Sequence, residues 1–248
     1  MIVYGRNPVR EAIRGPRTVK RIWAAGRAAG EPWLRGVATI TDSTADRLQR
    51  LSGSSAHQGL CAEVTPFRYA AAEELLALAE PLIVALDQVQ DPQNLGAIVR
   101  SAECAGAAGL VIGERRSVDV TAAVCKASAG AVEHLPIAKI RNLADFLAEA
   151  KRAGLWCYGA DAQSAVSYET VDFGGRAVLV LGSEGGGLRP RVAGACDALV
   201  SIPLRGQIES LSVSAAAAIL LFTAARGRAG GLRAGAGGLR PAPMRRAR

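Results

Sequence analysis

From residue 82 onward the chain alternates short runs that are apolar at nearly every position with stretches of helical composition, and this pattern constrains the fold more than any other feature. The runs are LIVAL at 82–86, GLVIG at 109–113, LPIAKI at 135–140, LWCYGA at 155–160, AVLVLG at 177–182 and ALVSIP at 198–203. Helices are expected near 95–105, 120–130, 142–153 and 212–225. A strand with one face in water alternates apolar and polar residues, whereas a strand apolar throughout is covered on both faces. The pattern therefore predicts an α/β fold with a mostly parallel sheet between layers of helices. A chain of 248 residues, 50% hydrophobic, can bury such a core as one large domain or two unequal ones.

Ahead of this region, residues 1–66 mix strand-like runs at 19–24 and 60–64 with helical stretches at 7–13 and 44–51, which reads as a small α/β unit. Residues 67–80, FRYAAAEELLALAE, have helical composition and stop at Pro81, so 67–81 reads as a connecting helix or linker. The expected division is a unit at 1–66, a linker at 67–81, a main domain at 82–227 and a tail at 228–248.

The formal charge of +8 suggests a polyanionic partner until its location is counted. Seven of the 30 basic residues fall in 226–248, which holds no acid, and the rest of the chain carries 23 basic against 22 acidic residues. That tail repeats GGLR, has too few apolar residues to bury a core, and is expected to be flexible and basic. It reads either as an arm gripping RNA phosphates or as a solvated extension. The opening MIVYGRNPVREAIRG lacks the apolar stretch of a signal peptide, and no run of 18 or more uncharged apolar residues occurs. The expectation is a cytoplasmic protein without a membrane partner. Cys61, Cys104, Cys125, Cys157 and Cys196 are at least 21 residues apart, which gives neither a disulfide framework nor metal-ligand spacing. Buried, reduced thiols and no metal site are expected.

Ligands of open parallel sheets bind beyond the carboxyl ends of the strands. Three segments there are unusual. Gly182-Ser183-Glu184-Gly185-Gly186-Gly187-Leu188 joins four glycines to one carboxylate directly after a buried strand. It suits close backbone approach to a ligand, or simply a flexible turn. It is no Walker loop, and no GxGxxG follows any strand. After the first strand, Asn94 precedes a helical stretch and is a natural cap for it. Arg100 has the planar fork that binds phosphate or carboxylate, or it pairs with Glu103 three residues on. In the third segment, Ile202 to Ser214, the residues Ser210, Ser212 and Ser214 stand where helix caps would.

Taken in order, Asn94-x-Gly96-x-x-x-Arg100 with Gly106, then Gly182-Ser183-Glu184-Gly185-x-Gly187-Leu188, then Ile202-Pro203-Leu204-x-Gly206 with Ser210-Leu211-Ser212-Val213-Ser214, resemble the three signature motifs of the SpoU (TrmH) family. These are RNA 2′-O-ribose methyltransferases of the SPOUT superfamily, and the likeness spans 82–226. YGRNPVREAI at 4–13 and HQGL at 57–60 further resemble the subgroup that methylates a guanosine in large-subunit ribosomal RNA. In that subgroup a ribosomal-protein-like N-terminal domain binds the substrate.

The resemblance implies a C-terminal trefoil knot, S-adenosylmethionine as cofactor, an RNA partner and a homodimer formed through the knot region. It implies cofactor contacts from Gly182, Ile202 and Leu211, mainly through backbone atoms, with Leu204 nearby. Arg100 matches the family's catalytic residue. Because arginine stays protonated, its expected role is to hold a phosphate or stabilise a developing alkoxide. Asn94 and Glu184 would position Arg100 and the nucleoside, and Ser210 would hydrogen-bond within the site. The chain departs from the family at Ser212, where asparagine is usual. Neither His57 nor His134 lies in the three segments; a turn or RNA contact is expected for the first and a structural role for the second. Two other readings stay open: methylation of a transfer RNA, and an RNA-binding protein of this fold without activity, for which Ser212 is the support.

Overall fold

The computed structural model describes residues 1–37 and 40–230. Ten strands and eight α-helices follow one another as β1 (Ile2–Tyr4), α1 (Arg6–Arg14), β2 (Val19–Ala24), β3 (Ile40–Asp42), α2 (Ala45–Ser52), β4 (Leu60–Val64), α3 (Ala72–Leu76), β5 (Leu82–Leu86), α4 (Pro92–Cys104), β6 (Gly109–Gly113), α5 (Ala122–Ala127), β7 (Ile137–Ile140), α6 (Leu143–Arg152), β8 (Trp156–Ala160), β9 (Ala177–Leu181), α7 (Pro190–Ala193), β10 (Ala198–Val200) and α8 (Val213–Gly230) among the described residues.

The main sheet is six-stranded, in the order β10-β8-β9-β5-β6-β7, and every pairing in it is parallel. Its strands are apolar at every position because both faces are covered, except for Lys139 in the edge strand β7, which pairs with Asp119. Leu82, Val84 and Leu86 of β5 pack with Leu95, Ile98, Leu220 and Leu221 from α4 and α8. Ile83 and Ala85 point the other way, against Phe146 and Leu147 of α6 and Val192 of α7. The N-terminal sheet, β1-β4-β2-β3, is antiparallel except where β2 pairs with β3. Its inner face, with Val3, Ile22, Leu60 and Ala62, belongs to the same continuous apolar core as α4 and α5.

Several local expectations change. Asp91, not Asn94, caps α4: its carboxylate accepts from the Gln93 amide, and Pro92 occupies the first turn where no amide is required. The helix expected at 120–130 stops at Ala127, because Ala129 and Gly130 take φ of 53° and 91°, and a short 3-10 turn, Ala131–Glu133, follows. Residues 67–81 contain only the five-residue α3, and Ala70 bridges to Ala138 of β7. Cys104 is exposed, whereas the other four thiols are buried. The last helix continues to Gly230, and Arg228 donates to the carbonyls of Gly175 and Glu80. The rest of the expected basic tail, 231–248, lies outside the described residues. Among the described residues no helix is long and apolar enough to cross a membrane.

Gly96 sets the distance between α4 and α5. A Cβ there would stand 2.3 Å from the Ala127 Cβ and 2.8 Å from the Ser128 backbone nitrogen. Gly96→Ala is therefore expected to cost about 1–2 kcal/mol in urea unfolding although alanine is the better helix former, because α5 must move. A variant as stable as the parent would show that the contact relaxes freely.

Candidate active site

The segments following β5 and β9 and the start of α8 converge on Asn94, in the first turn of α4. Its amide nitrogen donates to the Glu184 carboxylate at 3.0 Å, and its oxygen accepts from the Ser214 hydroxyl at 2.9 Å. Ser214 in turn lies 3.2 Å from the Ser212 hydroxyl, whose oxygen accepts from the Ala215 amide and so caps α8. A line of four side chains thus joins positions 90 and 120 residues apart. Once the cap of α4 is supplied by Asp91, both hydrogen-bonding ends of Asn94 are free for this work.

The loop carrying Glu184 is shaped by its glycines. Ser183 and Gly187 exchange backbone hydrogen bonds of 3.1 and 3.0 Å, closing a tight turn with Gly185 at φ 74° and Gly187 at φ 58°. A Cβ on Gly182 would lie 2.1 Å from the Gly187 carbonyl carbon, so any side chain there collides with backbone. The loop is tied to the first strand by Asp87, which is 1% exposed. Its carboxylate accepts from the Arg189 backbone amide at 2.9 Å and from the Arg189 Nε at 2.8 Å. The Asp87 amide itself donates to Leu181 at 2.8 Å. Sequence reasoning passed over Asp87, Arg189 and Ser214 as site residues. A lone acid ending an apolar strand was the available signal for the first.

Other expected site residues stand apart from this line. Arg100 is exposed and makes no hydrogen bond or ion pair to described residues, so the pairing with Glu103 does not form. Six residues of helix place it roughly 120° around α4 from Asn94. Ser210 is exposed, without a hydrogen bond to described residues, and caps nothing. Beside it Leu204, Ile208 and Leu211 are 38%, 76% and 40% exposed. No backbone hydrogen bond links 202–211 to other described residues, although Ile202 is half-buried. Apolar side chains beside unpaired peptide groups form a surface suited to a flat heteroaromatic ring.

Acid–base and nucleophilic alternatives are weak here. His57 is buried and its Nδ1 accepts from the Gly59 amide at 3.1 Å, stabilising a turn, while His134 pairs with Glu11 at 2.9 Å. Burial pushes the Cys61 thiol up to about 11 and the Cys196 thiol up to about 12, and raises that of Cys157 as well. No cluster of three or more metal-ligating side chains occurs among the described residues. Asp87→Ala is expected to loosen the glycine loop, so that amides at 182–188 exchange with deuterium at least about tenfold faster. Unchanged exchange would show that the loop holds its shape without the clamp.

Comparison with known proteins agrees with this geometry. The profile of the SpoU rRNA Methylase family matches residues 81–222. The profile for RNA 2′-O ribose methyltransferase substrate binding matches residues 2–70. YacO of Bacillus subtilis, named for the TrmH family of tRNA/rRNA methyltransferases, is 37% identical over 239 residues, covering 91% of this chain and 95% of its own. Among solved structures, the SpoU methyltransferase AviRb from Streptomyces viridochromogenes in complex with AdoMet aligns with a TM-score of 0.77 at 27% identity, covering 91% of this chain and 89% of its own. An AdoMet-bound rRNA methyltransferase from Sinorhizobium meliloti aligns with a TM-score of 0.75 at 26% identity, over 91% of this chain and 86% of that one. The chain belongs to the SpoU family of S-adenosylmethionine-dependent RNA methyltransferases.

Proposed function

We propose that this enzyme methylates the ribose 2′-hydroxyl of a guanosine in large-subunit ribosomal RNA, in the cytoplasm and as a homodimer. The observation that carries this reading is the likeness to an rRNA methyltransferase along 91% of the chain, which takes in the N-terminal substrate-binding unit as well as the methylase region. Domains are assigned as a substrate-binding unit at 1–66, a linker at 67–81 and a knotted methyltransferase domain at 82–227.

The residues at the carboxyl edge of the sheet fit S-adenosylmethionine. Gly182 offers peptide groups from the glycine loop, while Ile202 and Leu211 offer theirs, and Leu204 an apolar wall, on a segment whose backbone forms no hydrogen bond to other described residues. The cofactor supplies an electrophilic methyl carbon. The protein's part is to orient the ribose oxygen and ease loss of its proton. Asn94 occupies one oxygen of Glu184, leaving the other to accept from the ribose hydroxyl. Ser210 adds a free hydroxyl, and Arg100, permanently cationic, holds the neighbouring phosphate or stabilises the oxygen as it gains charge. Ser212 keeps a structural role as the cap of α8, a role that serine and asparagine fill equally well.

Two features support the dimer. Helix α8 is apolar around most of its circumference, with Phe222 52% exposed, as in a helix covered on all sides. Arg100 is exposed, without a partner among the described residues, and lies roughly 120° around α4 from Asn94, which leaves it free to serve a second chain's site.

The enzyme reading is tested with labelled S-adenosylmethionine and unmodified ribosomal or transfer RNA, mapping the product. Ribose methylation of ribosomal RNA is expected. Transfer RNA as the better substrate would replace the proposed target, and RNA binding without incorporation into either would overturn the activity. Arg100→Ala is expected to lower kcat about 100-fold or more while cofactor affinity changes less than about threefold. Equal loss of both would move Arg100 into cofactor binding. Mixing inactive Arg100→Ala and Glu184→Ala protomers should regain activity; no regain would confine each site to one chain.

A further inference from the structure

The two N-terminal segments YGRNPVREAI and HQGL contribute nothing to the site around Asn94, yet they meet the methylase region closely. Arg17, after α1, grips Glu133 with a planar fork: Nε donates to one carboxylate oxygen at 2.9 Å and Nη2 to the other, and both side chains are buried. The guanidinium also lies 3.6 Å from the Cys125 sulfur and 5.9 Å from the centre of the Phe67 ring. Glu11 of α1 accepts from His134 at 2.9 Å. Gln58 accepts at 3.0 Å from Lys126 of α5, whose ammonium stands 5.9 Å from the Tyr4 ring. Partial burial lowers the affinity of that ammonium for its proton.

Two glycines, one on each side, make this approach possible. A Cβ on Gly15 would be 2.7 Å from the Glu133 Cβ, and one on Gly130 would be 2.7 Å from the Glu11 Cβ. The elements that receive the N-terminal unit are thus α5 and the turn Ala131–Glu133. Helix α5 is the one against which Gly96 sets α4, and α4 carries both Asn94 and Arg100. A physical path runs from the substrate-binding unit to the catalytic helix through packed backbone.

A buried ion pair is a poor source of stability, because dehydrating two charges costs as much as their attraction returns. Here the cost is higher still, since Arg17 Nη1 is buried with no partner among the described residues. What the fork supplies and apolar contact does not is direction. We propose that Arg17 and Glu133 are positioning residues that fix the orientation of the substrate-binding unit on α5, so that bound RNA meets α4 in one register. This rests on the reading of the chain as an RNA ribose methyltransferase.

The test uses the full chain with two variants, unmodified ribosomal RNA and labelled S-adenosylmethionine. Arg17→Met/Glu133→Leu removes both charges and keeps an apolar seam; Arg17→Lys keeps the charge and loses the fork. Both should retain cofactor affinity, and RNA affinity within about threefold. The double variant should melt within a few degrees of the parent, yet turn over about tenfold slower and spread methylation to neighbouring nucleotides; Arg17→Lys should be several-fold slower. Parental turnover and site choice in either variant would overturn the proposal. Small-angle scattering reads the seam independently of activity, so it separates failure here from a wrong RNA target. The radius of gyration should rise in the double variant, and an unchanged value would also overturn the proposal.

Discussion

Asn94 is the residue on which the rest of the site depends. An amide side chain is the smallest group that donates from one end and accepts at the other, and here each end faces a different segment of chain. The donor end fixes Glu184 and the acceptor end receives Ser214, so the loops after β5 and β9 and the start of α8 become one surface. The arrangement requires that Asn94 be released from capping its own helix. Asp91 and Pro92 provide that release by satisfying the first turn of α4 themselves.

Around this link the backbone is held by close approach rather than by bulk. The buried Asp87 carboxylate anchors Arg189 at the far end of the glycine loop, while Gly182 lets that loop fold back on itself within a distance no side chain permits. The result is a rigid frame beside a segment, 202–211, whose peptide groups stay unpaired with the described protein. Preorganised donors next to an open apolar surface suit a reaction that requires alignment above all.

Much of this was legible in the sequence because it is local. The six apolar runs became the six strands of the main sheet, where a short run apolar at nearly every position is covered on both faces. What was not legible was long-range pairing. From its local sequence Asn94 read as a cap, and only the resemblance set it beside Glu184, 90 residues away; Ser214, 120 residues away, gave no signal as its partner, and Arg17 carried none because Glu133 is 116 residues distant. The helix expected at 120–130 broke where Ala129 takes a positive φ, a conformation that alanine does not advertise. The order of the motifs identified the family, but only the folded chain shows that Ser212 caps α8 and that the conspicuous N-terminal segments face the methylase region.

If methyl transfer uses the hydrogen bond between Asn94 and Glu184, the two residues act in it as one unit. A double-mutant cycle on single-turnover methylation of ribosomal RNA, with Asn94→Ala, Glu184→Ala and both together, measures this directly. The double variant is expected to be about as slow as the slower single variant, because either change breaks the same contact. Losses that multiply independently would contradict it.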